Sequence, residues 1–119
     1  MDISIYIDQK SLSDRLSGDF ELFIELANIF IDDYKLLLES ISYAFKKNDL
    51  TETGKAAHTL KGAVSNFSAV KIYNLAIQLE QECKRNKLED AKSLFNDLYK
   101  CMDETVDAIK LIISNGSFF

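Results

Sequence analysis

The chain contains one histidine, His58, within the run Ala57-His58-Thr59-Leu60-Lys61-Gly62. On a helix, positions i, i+3 and i+4 are neighbours on one surface, which brings together an imidazole, the Lys61 ammonium and the bare backbone of Gly62. Ala57, Leu60, Val64 and Phe67 follow the i, i+3, i+7, i+10 spacing of a buried seam. Measured from the middle of that seam, His58 lies roughly 140° away and Gly62 roughly 180° away, with Lys61 and Ser65 on the flank at about 80° and 120°. The ring therefore points to water, and the glycine beside it leaves it uncovered. A neutral imidazole nitrogen held this way can attack phosphorus in line, a step that depends on positioning and on neutralising charge on the phosphoryl oxygens.

The charges near the ring favour an anion. Between Thr53 and Leu79 stand Lys55, Lys61 and Lys71 and no Asp or Glu, whereas an even spread of the chain's 19 acids over 119 residues would put about four there. Lys61 beside a phosphoryl group would contribute on the order of 1–4 kcal/mol at partly screened dielectric. The plainer reading is an ordinary solvated histidine; exposure, the lysine, the glycine and the acid-free window together weigh against it.

Other chemistries lack their parts. A hydrolytic site needs a nucleophile, a base and an orienting group, and one histidine allows at most one such site. Ser65 is two helical turns from His58, too far for direct contact. There are no paired Glu-x-x-His sequences for a metal bundle and no glycine-rich phosphate loop. No metal site and no autonomous active site are expected.

Ala57 to Gly62 followed by Ala63 resembles the A-H-x-L-K-G-[SA] signature of histidine-containing phosphotransfer (HPt) domains, the middle carriers of multistep phosphorelays. The likeness runs over about residues 8 to 113: a short opening helix with Leu12 and Leu16, Gly18-Asp19, a long helix with Phe30 and Asp33, Phe67-Ser68-Ala69 where the family usually has Leu-Gly-Ala, and Leu79-Glu80 where it has a Leu-Glu pair. Ser68 for glycine, and Lys35 near a common proline position, depart from the pattern at helix ends or bends. The resemblance implies that His58 accepts a phosphoryl group from a receiver aspartate and passes it to another receiver. The receivers of response regulators or hybrid sensor kinases would be the partners, and they would bring the Mg²⁺; the chain itself would need no cofactor. Lys61 would steady the phosphoryl charge with Lys55 as a weaker second, Gly62 would give the receiver room, and Ser65 would hydrogen-bond near the ring. The residues do not decide which imidazole nitrogen reacts; the resemblance implies Nε2. Two other functions stay open: a helical module that docks a receiver without carrying phosphate, and the substrate domain of a histidine kinase.

Positioning such a ring requires helices, and the composition suits them: no proline, four glycines, 47% apolar and 28% charged residues. The length fits one domain, residues 1–119, around a single core. Ile3, Ile5 and Ile7 alternate as an extended lead-in over residues 1–7. Asp8 caps a short helix that ends at Gly18, and Asp19 caps a long helix with the stripe Phe20, Phe23, Ala27, Phe30, Tyr34, Leu37, Ile41 and Ala44, closed by Asn48. Asp49 and Glu52 form a D-x-x-E capping box for a helix reaching about Phe67. Ser68 caps the next, with the stripe Ile72, Ala76, Leu79 and Cys83 up to Asn86. The last helix carries Leu88, Ala91, Leu94, Phe95, Leu98, Met102, Thr105, Ile109 and Ile112 before a frayed tail at 114–119. Four long helices with short connections predict an all-α, antiparallel up-down four-helix bundle, with the short N-terminal helix across one end.

On the long helix, Leu36 and Tyr43 point most of a half-turn away from its stripe, and pairing through the turn at Asn48-Asp49 brings residues near Glu39 level with His58. This exposed pair, with Thr59 next to the ring, is either a docking surface for a partner or ground covered by the first helix. The net charge of −5 argues against nucleic acid and against an anionic membrane surface. No signal peptide or membrane span is read. Cys83 and Cys101 fall on apolar faces as reduced thiols of a cytoplasmic, monomeric protein.

Overall fold

The computed structural model describes residues 1–119 as five α-helices without a strand. These are α1 (Gln9–Arg15), α2 (Phe20–Lys46), α3 (Leu50–Ser65), α4 (Val70–Lys84) and α5 (Leu88–Asn115). Three starts are set by aspartates: the Asp8, Asp19 and Asp49 carboxylates accept from the backbone N–H groups of Ser11, Leu22 and Glu52, each at 3.0 Å. Three of the reversals between helices are made by Gly18, Asn48 and Asn86, all at positive φ, as their types suggest. Packing runs α2 on α3, α3 on α4 and α4 on α5, with α2 against α5 closing an up-down four-helix bundle 43 Å long.

Helix α1 lies across the end formed by the α3–α4 turn and the C-terminus. The Asp8 N–H donates to the Ser68 carbonyl at 3.0 Å, the Ser11 and Ser68 hydroxyls meet at 2.9 Å, and the Gln9 side-chain amide donates to the Phe118 carbonyl at 2.8 Å. Ile7 and Leu12 are completely buried beneath it.

The structure corrects five local expectations. The lead-in is not extended: Ile3–Ile5 form a 3₁₀ turn, because Asp2 accepts from the Ser4 N–H and the Tyr6 N–H closes on Ile3. Ser68 does not cap α4, which starts after Ala69 without any side-chain cap; at φ 50° Ser68 instead makes the reversal and turns its polar groups to α1. Helix α3 accordingly stops at Ser65. The capping box at α3 is only half formed, since the Glu52 carboxylate reaches forward to Lys55 at 3.4 Å. The tail is not frayed: α5 runs to Asn115, Gly116 reverses the chain at φ 76°, and Phe118 packs on Phe20 and Phe23 with ring centroids 5.2 and 5.6 Å away.

The stripe of α2 also drifts. Phe23, Ala27, Phe30, Ile41 and Ala44 are buried, but Leu38 and Phe45 take the inward places while Tyr34 and Leu37 are half-buried. A straight helix slips about 20° per heptad against a strict seven-residue repeat, so over 27 residues the buried edge moves by one position.

Phe118 gives a direct check on the tail. Phe118→Ala is expected to lower unfolding stability by about 3 kcal/mol in urea, the low end for a buried Phe because a little of the residue stays exposed. A change below about 0.5 kcal/mol would return the tail to the frayed description.

Candidate functional site

His58 lies on the outer face of α3 with its side chain 66% exposed, while Ala57, Leu60 and Val64 on the opposite face are completely buried. An ideal Cβ built on Gly62 meets no atom within 4 Å, so the surface next to the ring is open. Both features agree with the helical angles.

The acid-free surroundings do not survive folding. Glu80, one residue beyond the acid-free window, comes from α4 and places one carboxylate oxygen 2.8 Å from His58 Nδ1 and the other 3.0 Å from Lys61 Nζ. The window was a property of the chain order; the antiparallel pairing of α3 and α4 folds Glu80 back onto it. Burial pushes the Glu80 carboxyl up, but the hydrogen bonds from Lys61 and His58, with their charges, outweigh that and hold it below its ordinary 4.5. An ionised carboxylate only accepts, so in the neutral ring Nδ1 carries the hydrogen and Nε2 keeps the lone pair, aimed away from Glu80.

The sign of that shift sets a pH dependence. A carboxyl whose folded pKa is depressed contributes stability above its ordinary range and loses it as pH falls through the lowered folded value. Glu80→Gln is therefore expected to cost about 1 kcal/mol of unfolding stability at pH 7 and almost nothing at pH 2–3. Equal losses at both pH values would show that charge at Glu80 is irrelevant to the pair.

The remaining expected residues divide. Thr59 and Lys55 are exposed and share a groove of about 660 Å³ with His58, Glu80, Cys83 and Lys84. The Thr59 hydroxyl donates to the Lys55 carbonyl at 3.2 Å. Ser65 is not brought to the ring: its hydroxyl donates to the Gly62 carbonyl at 2.7 Å, and it borders a separate hollow with Ser11, Arg15 and Ser68. The two helical turns between Ser65 and His58 allow nothing else. Lys61 is present but committed to Glu80, and only 22% of its side chain is exposed.

Leu36 and Tyr43 are 62% and 61% exposed, and α1 covers neither. Tyr43 lines a hollow with Lys55 and Thr59, and Leu36 lines another with Ile29, Ala63 and Phe67, so both adjoin α3. Sequence reasoning stopped short of the rest of this stripe. Leu22 and Ile29 are exposed at the same seven-residue spacing, a signal already present in the chain.

Glu80 as a contact of His58 was also missed, although residues 58 and 80 are equidistant from Ala69 in the α3–α4 turn. Cys83 and Cys101 are free and buried. Burial, with Glu80 and Glu82 nearby, pushes the Cys83 thiol up, so the groove holds no competing thiolate. No helix is long and apolar enough to cross a membrane.

Comparison with known proteins bears on the family and the fold. The chain is 28% identical over 97 residues to the phosphorelay intermediate protein rdeA of Dictyostelium discoideum, covering 82% of this chain but only 38% of that relative's length. Its fold superposes on histidine-containing phosphotransfer protein B of Pseudomonas aeruginosa PAO1 with a TM-score of 0.80 at 23% identity, covering 89% of this chain and 92% of the other. The HPT domain of a sensor hybrid histidine kinase from Shewanella superposes with a TM-score of 0.77 at 20% identity, covering 92% and 94%. At such identities the two structures speak for the fold. The sequence pattern of the Hpt domain matches residues 25–110, which hold all but the first turn of α2, the exposed histidine and the Glu80 beside it; the chain belongs to the Hpt domain family.

Proposed function

We propose that the protein is a histidine phosphotransfer intermediate of a multistep phosphorelay, with His58 as the phosphoacceptor. The supporting observation is the exposed ring whose Nδ1 is tied to a largely buried carboxylate, leaving Nε2 as the free nucleophilic nitrogen. In the step, the Nε2 lone pair forms a bond to the phosphorus of a receiver's aspartyl phosphate, the P–O bond to that aspartate breaks, and its electron pair stays on the carboxylate. The ring becomes a phospho-imidazolium with its proton on Nδ1, where the Glu80 carboxylate steadies the new positive charge. Transfer to a second receiver runs the same step in reverse. Mg²⁺ belongs to the receiver, Gly62 leaves room for it to approach, and the chain acts as a carrier without turnover of its own. The same reading makes it a monomeric cytoplasmic protein.

Incubation with an aspartyl-phosphorylated receiver, and separately with a histidine kinase core and ATP, tests this. An acid-labile, base-stable label arising from the receiver is expected. Label only from the kinase core would make the chain a kinase substrate domain, and binding without label would make it a docking module; either result overturns the proposal.

Leu36, Tyr43 and Thr59 would form the receiver's footing. The double substitution Leu36→Ser and Tyr43→Ser is expected to raise the phosphorylated-receiver concentration that gives half-maximal single-turnover transfer, the apparent KM, about 10-fold at an unchanged maximal transfer rate, since exposed apolar contacts supply uniform binding. An unaltered KM would remove the stripe from the docking surface.

A further inference from the structure

The ammonium that sequence spacing assigns to the phosphoryl group is already neutralised. Lys61 Nζ sits 3.0 Å from Glu80 Oε1, largely covered, and the pair has no net charge to offer. To reach a phosphoryl oxygen Lys61 would have to leave the carboxylate that also holds Nδ1.

Two other ammonium groups border the same groove from the other side of the ring. Residues 58 and 80 stand opposite one another on antiparallel helices, which puts Gly54 opposite Lys84 and Lys55 opposite Cys83. Lys84 is four residues beyond Glu80 and Lys55 three before His58, so each lies about one helical turn, roughly 5 Å, from the level of the ring and away from Lys61. The small residues Gly54 and Cys83 form the floor, where an ideal Cβ on Gly54 would stand 3.4 Å from Cys83 Cβ, so the groove can stay open between the flanking lysines. The acids nearby are already engaged: Glu80 by Lys61 and His58, Glu82 by Arg85 at 2.8 Å, and Glu52 by Lys55 at 3.4 Å in an exposed contact. Lys84 is exposed and makes no ion pair or side-chain hydrogen bond. It carries the one uncancelled positive charge on the groove, on a flexible four-carbon stem able to cover a helical turn.

We propose that Lys84 is the ammonium that neutralises the phosphoryl oxygens on His58, and that Lys61 serves instead to fix Glu80. This deepens the phosphocarrier reading and rests on it. A phosphoryl group on Nε2 spreads its charge over three oxygens, and an unpaired ammonium meets them without first giving up a partner.

The test needs no receiver. Phosphoramidate transfers its phosphoryl group to an exposed imidazole nitrogen with ammonia leaving, and phosphorus NMR then follows the second ionisation of the phosphoryl group with pH. In Lys84→Gln the midpoint is expected to rise by about half a unit to one unit, as removal of a nearby cation disfavours the dianion. Lys84→Arg should restore it. The double variant Lys61→Gln/Glu80→Gln, which removes a neutral pair, should titrate close to the parent protein, as should Lys110→Gln, which removes an exposed charge on α5. An unmoved midpoint in Lys84→Gln overturns the assignment, and so does a shift of equal size in the double variant or in Lys110→Gln. The receiver incubations described above judge the carrier reading separately: a chain that shows the Lys84 shift yet takes no label from receivers fails there and not here.

Discussion

Glutamine at position 58 is expected to leave the protein folded and unable to take a phosphoryl group from a phosphorylated receiver. The loss should exceed 1,000-fold, to the limit of detection, because a covalent carrier without its nucleophile has no partial route. No neighbour takes over. The Cys83 thiol is held protonated by burial, the Thr59 hydroxyl donates to Lys55, and Ser65 is turned to Gly62. Stability should change by less than about 0.5 kcal/mol, since the ring is exposed and its one hydrogen bond, to Glu80, can be remade by the glutamine amide. The two readouts are acid-labile label after incubation and a urea unfolding curve. Label at the parental level in this variant would place the phosphoryl group elsewhere and end the proposal.

A second substitution should move stability and transfer in opposite directions. Gly62 occupies a helical interior position with ordinary backbone angles, and a side chain added there touches nothing within the protein. Glycine in a helix costs about 0.5–1 kcal/mol relative to good helix formers, so Gly62→Gln should stabilise the bundle by roughly 0.5 kcal/mol and raise Tm by about 2 °C. Beside an exposed nucleophile, however, that side chain occupies the approach of a receiver. Transfer is expected to fall about 100-fold, because even an ångström of misplacement is costly in an in-line displacement. Faster unfolding together with slower transfer would point to simple damage. Normal transfer in a stabilised variant would show that the open surface has nothing to do with access.

These outcomes separate what was legible in the chain from what was not. The exposure of His58 and Gly62 followed from 3.6-residue periodicity, because Ala57, Leu60 and Val64 leave only one face to bury. The aspartate caps and the left-handed residues Gly18, Asn48 and Asn86 were legible for the same reason: each is a contact within a few residues along the chain. Misreadings arose where a local rule met a distant partner. Ser68 has the type of a cap, but its hydroxyl is taken by Ser11 from another helix. Phe118 follows a glycine-containing tail that looks loose, and is recovered by Phe20 and Phe23 from the start of α2.

The chain order by itself determined the helices, the bundle, the single outward imidazole and the glycine beside it, all consequences of spacing along one strand of covalent structure. Tertiary structure decided the chemistry around that imidazole. It brought Glu80 to Nδ1, tied up Lys61 and left Lys84 unpaired. The physical reason is register: which residues of two antiparallel helices stand level depends on the three-dimensional course of the turn between them and on how the buried faces mesh, and neither is written in the periodicity of either helix alone.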